Sequence, residues 1–237
     1  MLSKIERTGE TWNPMTGCTQ ISEGCANCYA KRMHARLQAM NSPKYAQGFD
    51  KVVCHESELD KPRHWKKPRT IFVCSMSDLF HKDVPADFIV RVFDVMKRCP
   101  QHTFQILTKR AERMREVIER NIIVPRNVWL GVTIEQQKHI DRVVSLQELT
   151  APHSVKFISC EPLLECVGLG LNLDGISWVI VGGESGPGAR PMDLAWVRCI
   201  RDQCIAEDTL FFFKQMSARK PIPQDLMIRQ FPEKSKP

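Results

Sequence analysis

From residue 70 onward the chain repeats one theme, a short continuous apolar run followed by a helical pattern. The runs are Thr70–Cys74, Thr103–Leu107, Asn127–Val132, Val155–Ser159, Ser177–Val181 and Leu210–Phe213. A strand with one wet face alternates apolar and polar residues. These runs do not alternate, so both faces are buried, as in a parallel sheet. Between them, Ile89, Val92, Phe93 and Met96 follow the i, i+3, i+4, i+7 spacing of a helix that Pro85 would open. Further helices are expected from about Ala111 to Glu119, Glu135 to Leu149 and Leu194 to Ile205, and a short strand near Thr11–Asn13 would begin the sheet. The fold class is therefore α/β: a parallel sheet with right-handed crossovers, open or curled into a partial (β/α) barrel. No repeat, low-complexity tract or linker divides the 237 residues, so a single domain spanning 1–237 is expected. Before residue 70 the rhythm breaks into a cysteine-bearing loop at 17–29, a helix from Ala26 to about Met40, and an irregular basic insertion at about 41–69.

A chain that is 43% hydrophobic and 26% charged is neither disordered nor a polytopic membrane protein. It has no 18-residue apolar run, and Met1–Arg7 lacks the apolar core of a signal peptide. A cytoplasmic protein without a membrane partner is expected. Thirty-four basic against 27 acidic residues give +7, a mild attraction for polyanions. The charge is densest in Lys61-Pro62-Arg63-His64-Trp65-Lys66-Lys67-Pro68-Arg69, five positive charges around one aromatic. Such a strip suits a phosphate backbone, and a solvated loop explains it nearly as well.

In parallel α/β architectures the site forms where loops leave the C-terminal ends of the strands. Ser75, Ser77, Asp78 and His81 follow the first run; Thr108, Lys109 and Arg110 the second; Thr133 and Glu135 the third; Cys160, Glu161 and Pro162 the fourth. The fifth ends in Gly182-Gly183-Glu184-Ser185-Gly186 with Arg190 behind it, and the sixth in Lys214-Gln215. Any one of these is as readily a helix cap as a ligand. Six polar endings on one rim point to a shared binding mouth. The glycine-rich segment matches neither G-x-G-x-x-G nor a P-loop, so neither NAD nor ATP is implied.

Ten cysteines are many, and Cys18-x6-Cys25-x2-Cys28 gathers three of them in eleven residues. Closely spaced thiols grip a metal or cluster. A zinc site would need a fourth ligand, which His34 or Cys54 could supply; a cubane iron–sulfur cluster on three thiolates leaves one iron open. Spacing alone does not separate the two. The position of the loop, on the same rim as the other polar endings, favours the open cluster. The remaining cysteines, Cys54, Cys74, Cys99, Cys160, Cys166, Cys199 and Cys204, are scattered, and several lie in apolar runs as small hydrophobes would.

Several blocks together resemble a phage-associated three-Cys-motif family of unassigned function, related to radical S-adenosylmethionine (SAM) enzymes. They are Thr11-Trp12-Asn13-Pro14, Gly24-Cys25-Ala26-Asn27-Cys28-Tyr29-Ala30, Ser75-Met76-Ser77-Asp78-Leu79-Phe80-His81, Leu107-Thr108-Lys109-Arg110, Val128-Trp129-Leu130-Gly131-Val132-Thr133, Glu161-Pro162-Leu163, the Gly182–Pro191 stretch and Phe213-Lys214-Gln215. The resemblance implies a TIM-like partial barrel with a [4Fe–4S] cluster on Cys18, Cys25 and Cys28. It also implies SAM on the open iron, an external electron donor, and hydrogen abstraction by a 5′-deoxyadenosyl radical. Gly182, Gly183, Glu184, Ser185 and Glu161 become candidate SAM or substrate contacts. Asp78, His81, Lys109 and Lys214 become candidates for the catalytic pocket. A nucleotide or nucleic acid is the expected substrate, and a partner protein is a further expectation. Two departures stand out: the usual C-x3-C-x2-C gap is here six, and the double glycine with its acid comes late in the chain. The competing reading is a non-catalytic binding module for nucleic acid or protein, stapled by zinc.

Overall fold

The computed structural model describes residues 9–168 and 170–233, so Met1–Arg7 lies outside the described residues. Strand β1 (Glu10–Trp12) is followed by the two-residue β2 (Met15–Thr16), helix α1 (Tyr29–Ala39) and β3 (Val53–Cys54). Then come β4 (Thr70–Val73), α2 (Ala86–Lys97), β5 (Thr103–Thr108), α3 (Ala111–Asn121), β6 (Val128–Thr133), α4 (Asp141–Glu148), β7 (Lys156–Cys160), β8 (Trp178–Gly182), α5 (Leu194–Ala206) and β9 (Leu210–Gln215). Seven strands form one sheet in the order β1-β4-β5-β6-β7-β8-β9, and every neighbouring pair is parallel. Spatial order therefore equals chain order. Right-handed crossovers of one sense put all the helices on one face, and the other face is covered only if the sheet curls on itself.

The two faces show this curl. On the helical face, Val128, Leu130, Val132, Ile158, Val179, Val181, Phe211 and Phe213 join α2's buried Phe88, Ile89, Val92, Phe93 and Met96 in the main core. On the inner face, Trp129, Phe157, Trp178, Ile180 and Phe212 form a separate cluster. The rings of Trp129 and Trp178 meet at 6.1 Å although β7 runs between their strands. Higher on the same face, Phe72, Leu107, Thr133 and Glu161, from four successive strands or their ends, border one cavity. The result is a partial (β/α) barrel with an aromatic plug below and a hollow mouth, bordered by polar strand ends and the cysteine loop, at the C-terminal ends of the strands.

Some boundaries differ from the sequence pattern. A 3-10 turn at Glu23–Cys25 delays the first helix, which starts at Tyr29 with Cys28 as its N-cap. The third expected helix is split: Gln137–His139 is a 3-10 turn, α4 begins only at Asp141, and Glu135 stays outside it, wholly buried. The described residues between β7 and β8 contain no helix. Instead Leu163 N–H donates to Gly182 O and Leu164 N–H to Glu135 O. The stretch before β4 supports the cysteine loop: β2 pairs with β3, and Cys18 N–H donates to Phe49 O at 2.7 Å. Gly17 turns with φ +87° so close to Lys51 that a Cβ would stand 2.0 Å from its carbonyl oxygen.

The aromatic plug depends on Gly131, where a Cβ would stand 2.4 Å from the Phe157 ring. Phe157 is locked against Trp178, so the ring has little room to retreat. Gly131→Ala is expected to lower the unfolding free energy by about 1–3 kcal/mol in urea titrations, whereas Gly9→Ala, whose Cβ would meet only an ordinary 3.7 Å contact, should be close to neutral.

Candidate functional site

The mouth of the barrel holds a cavity of about 600 Å³. Cys18, Cys25 and Cys28 all line it, with Tyr29, Lys31 and Phe49 on the outer side and Asp78, Lys109, Arg110, Thr133 and Glu161 from the strand ends. A fourth cysteine, Cys74, borders it from the end of β4, where the sequence reads as an ordinary apolar run. Burial pushes the Cys74 thiol up to about 12, despite a hydrogen bond with Ser77.

Three buried ionic clamps hold the cysteine loop over this rim. In the first, Glu135 accepts from Ser22 Oγ of the loop at 2.6 Å, from Arg142 at 2.8 Å, and from Lys109. Burial alone would raise the Glu135 carboxyl, but the cations Lys109 and Arg142 and the Ser22 hydroxyl hold it below the usual carboxylate range. In the second, Asp78 accepts from Thr108 Oγ1 at 2.7 Å, Arg110 Nη1 at 2.9 Å and Phe80 N–H at 3.0 Å. Arg110 continues to the loop, donating to Thr19 O at 3.1 Å and to Cys18 Sγ at 3.8 Å. In the third, Glu184 accepts from Asn27 Nδ2 at 2.8 Å, Arg190 N–H at 2.8 Å and the Arg190 guanidinium. Arg190 also reaches Glu23 O at 3.0 Å.

These contacts place each residue singled out in the sequence. Asp78, Lys109 and Glu161 line the cavity with the three cysteines; His81, Lys214, Gly182, Gly183, Glu184 and Ser185 do not. His81 is fully buried: its Nδ1 accepts from Asp83 N–H, which puts the proton on Nε2, facing Thr19 Oγ1 at 2.7 Å. Burial, with Arg110 nearby, lowers its pKa, so it stays neutral as a strut under the loop. Lys214 donates to Glu161, whose other oxygen accepts from Ser159 Oγ at 3.1 Å. Gly182 and Gly183 pack against Glu161 and Ser217 and leave no open backbone for a ligand. Ser22, Asn27 and Arg142 are further members of the clamps; their residue types are unremarkable, and only the fold brings them to a carboxylate.

The basic strip is placed otherwise than a substrate track requires. It runs into the N-terminal end of β4, at the end of the sheet away from the cavity. Arg63 pairs with Asp60 at 2.9 Å and Arg69 with Glu10 at 2.7 Å. Trp65 packs on the core with the Arg69 guanidinium 5.2 Å from its ring centre.

Neither proposed fourth zinc ligand borders the cavity. His34 is buried between Tyr45 and Phe49 with Nε2 on Gln47 O at 2.8 Å, and Cys54 lies in the β2–β3 ribbon. Among the described residues no three His, Cys, Asp or Glu side chains gather to hold a single ion. One tetrahedral ion needs its ligands to converge on a point. Burial, reinforced by Asp78 and offset by Arg110, pushes the Cys18 thiol up to about 11, so binding a metal there displaces a proton.

The model of a family described as a protein of unknown function, DUF5131, matches residues 2–230. The chain belongs to that family. No curated protein matches it. Among solved structures it is similar to a substituted spore photoproduct lyase with bound AdoMet and dinucleoside spore photoproduct, at TM-score 0.47 and 10% identity, covering 86% of this chain and 63% of that one. A second spore photoproduct lyase, complexed with dinucleoside spore photoproduct, matches at TM-score 0.41 and 11% identity, covering 80% of this chain and 58% of the other. The chain thus spans less than two thirds of either protein's length.

Because the Glu135 carboxyl is depressed in the fold, its stabilisation is complete above the ordinary carboxyl value of 4.5 and drains away as pH falls through the folded value. Glu135→Gln is expected to cost about 3–5 kcal/mol at neutral pH and to flatten the acid limb of a stability-against-pH curve. An acid limb as steep as that of the wild type would show that the clamp does not titrate.

Proposed function

We propose that the chain is an iron–sulfur enzyme of the radical SAM type. Cys18, Cys25 and Cys28 would hold a [4Fe–4S] cluster with one iron left for SAM. The observation that supports this reading is that Cys18, Cys25 and Cys28, all from one loop, line a single cavity at the barrel mouth together with Asp78, Lys109 and Glu161. When bound and reduced by an external electron donor, such a cluster supplies the cleavage of SAM to methionine and a 5′-deoxyadenosyl radical that abstracts hydrogen.

The protein's own part is to hold, orient and shield. The Glu135, Asp78 and Glu184 clamps fix the cysteine loop, so the three thiols are positioned before any ligand arrives. Arg110 donates to Cys18 Sγ and tempers the charge of that ligand. Glu161 lines the cavity, as Glu184 does not, and with Lys214 and Ser159 orienting it, it is the better contact of the two for the SAM ammonium. The Glu184 carboxylate is already committed to Asn27 and Arg190. Lys109 holds a positive charge on the wall while it pairs with Glu135. The aromatic plug closes the floor against water, which a radical site requires.

The substrate reading is a nucleotide or nucleic acid. Tyr29, 57% exposed, and Lys31 both border the cavity, an aromatic and a cation of the kinds that meet a base and its phosphate. With SAM and dithionite under anaerobic conditions, the reconstituted wild type is expected to form 5′-deoxyadenosine, measured by liquid chromatography and mass spectrometry. Cys28→Ala should fall to background. Cluster-loaded protein that forms no 5′-deoxyadenosine would overturn the SAM part of the reading.

A further inference from the structure

Helix α1 leaves the cavity mouth carrying charge that no acid of its own answers. It contains no Asp or Glu, and it carries Lys31, Arg32 and Arg36. All three are exposed, and among the described residues none of them is ion-paired. The cations that build the rim are spent, by contrast: Lys109 and Arg142 on Glu135, Arg110 on Asp78, Arg190 on Glu184. The placement on α1 works against the helix itself. Lys31 sits in the first turn, where the positive end of the helix dipole repels a cation. Arg32 and Arg36 are four residues apart, so two like charges meet on one side. An anion lying along the helix relieves both.

The position is equally particular. Tyr29 and Lys31 border the cavity. Tyr29, Arg32 and Arg36 fall at i, i+3 and i+7, on one side of the helix, and that side runs about 10 Å from Tyr29 outward. The Arg32 guanidinium lies where a side chain on Gly186 would stand, so the glycine-rich segment after β8 gives it a seat. His34 is the one residue of α1 that is buried, which leaves the cationic side open to a long ligand.

We propose that Lys31, Arg32 and Arg36 of α1 form a phosphate track for single-stranded nucleic acid, leading an unpaired base to the cavity. The occupant follows from charge complementarity: a row of unanswered cations matches a row of phosphates, with an exposed aromatic at its inner end for a base to stack on. A duplex does not suit the site, because a base reaches a cavity only when it is unpaired and out of the stack. The inference rests on the reading of the substrate as a nucleotide or nucleic acid, and narrows it to a polynucleotide. It does not depend on what the three cysteines hold.

The test is the fluorescence anisotropy of a labelled oligothymidylate of about 12 nucleotides, within the span such grooves cover, titrated with the full chain at several salt concentrations. Arg32→Gln with Arg36→Gln is expected to bind about tenfold more weakly and to lower the slope of log affinity against log salt by about 1.4. Arg32→Lys with Arg36→Lys should restore the slope. Tyr29→Leu should weaken binding about tenfold with the slope unchanged. Lys66→Gln with Lys67→Gln removes the same charge at the far end of the sheet and should bind as the wild type does. Equal affinity and slope in the wild type and the double glutamine variant of α1 would overturn the proposal, as would an equal loss from the Lys66 and Lys67 variant. Iron content and 5′-deoxyadenosine formation on the same preparations judge the cluster separately. Protein without iron that binds the strand through Arg32 and Arg36 would still support the track.

Discussion

A carboxylate without solvent exposure is costly unless its charge is matched, and Glu135 is 0% exposed. Its match comes from three directions: Lys109 at the end of β5, Arg142 on α4 and Ser22 of the cysteine loop. Removing any of them leaves charge or hydrogen-bonding capacity stranded in a low-dielectric mouth. The helix that the sequence pattern would start at Glu135 cannot start there, because the side chain is committed to the rim. Glu135 thus joins two strand ends, a helix and the loop that carries the thiols.

The division of the inner face follows from the same geometry. Below, where nothing has to bind, Trp129, Phe157, Trp178 and Phe212 fill the space, and Gly131 admits the Phe157 ring. Above, Thr133 and Glu161 replace the aromatics, and the interior opens into a cavity. The thiols, Asp78, Lys109 and Glu161 border the cavity, while His81 and Glu184 do not border it and support the loop.

Much of this architecture could be read from the chain. Continuous apolar runs such as Val128–Val132 have no polar face, and only a strand covered on both sides tolerates that. The rim, too, followed from where those runs end, and it brought Asp78, Lys109 and Glu161 to one cavity with Cys18, Cys25 and Cys28. What could not be read was partnership. Nothing local says that Glu184 is spent on Asn27, far away in the chain, or that Asp78 is saturated by Thr108 and Arg110. Charge density in Lys61–Arg69 says nothing of which end of the sheet it occupies. Cys74 closes an apolar run and gives no local sign that it borders the site.

On the function proposed here, Cys18, Cys25 and Cys28 hold a [4Fe–4S] cluster and not a zinc ion. Metal and sulfide analysis after anaerobic reconstitution tests it most directly, with the visible spectrum recorded on the same sample. About four irons and four sulfides per chain, a brown protein and no stoichiometric zinc are predicted for a [4Fe–4S] centre. A colourless protein with one zinc per chain would contradict the account and leave a metal-stapled binding module.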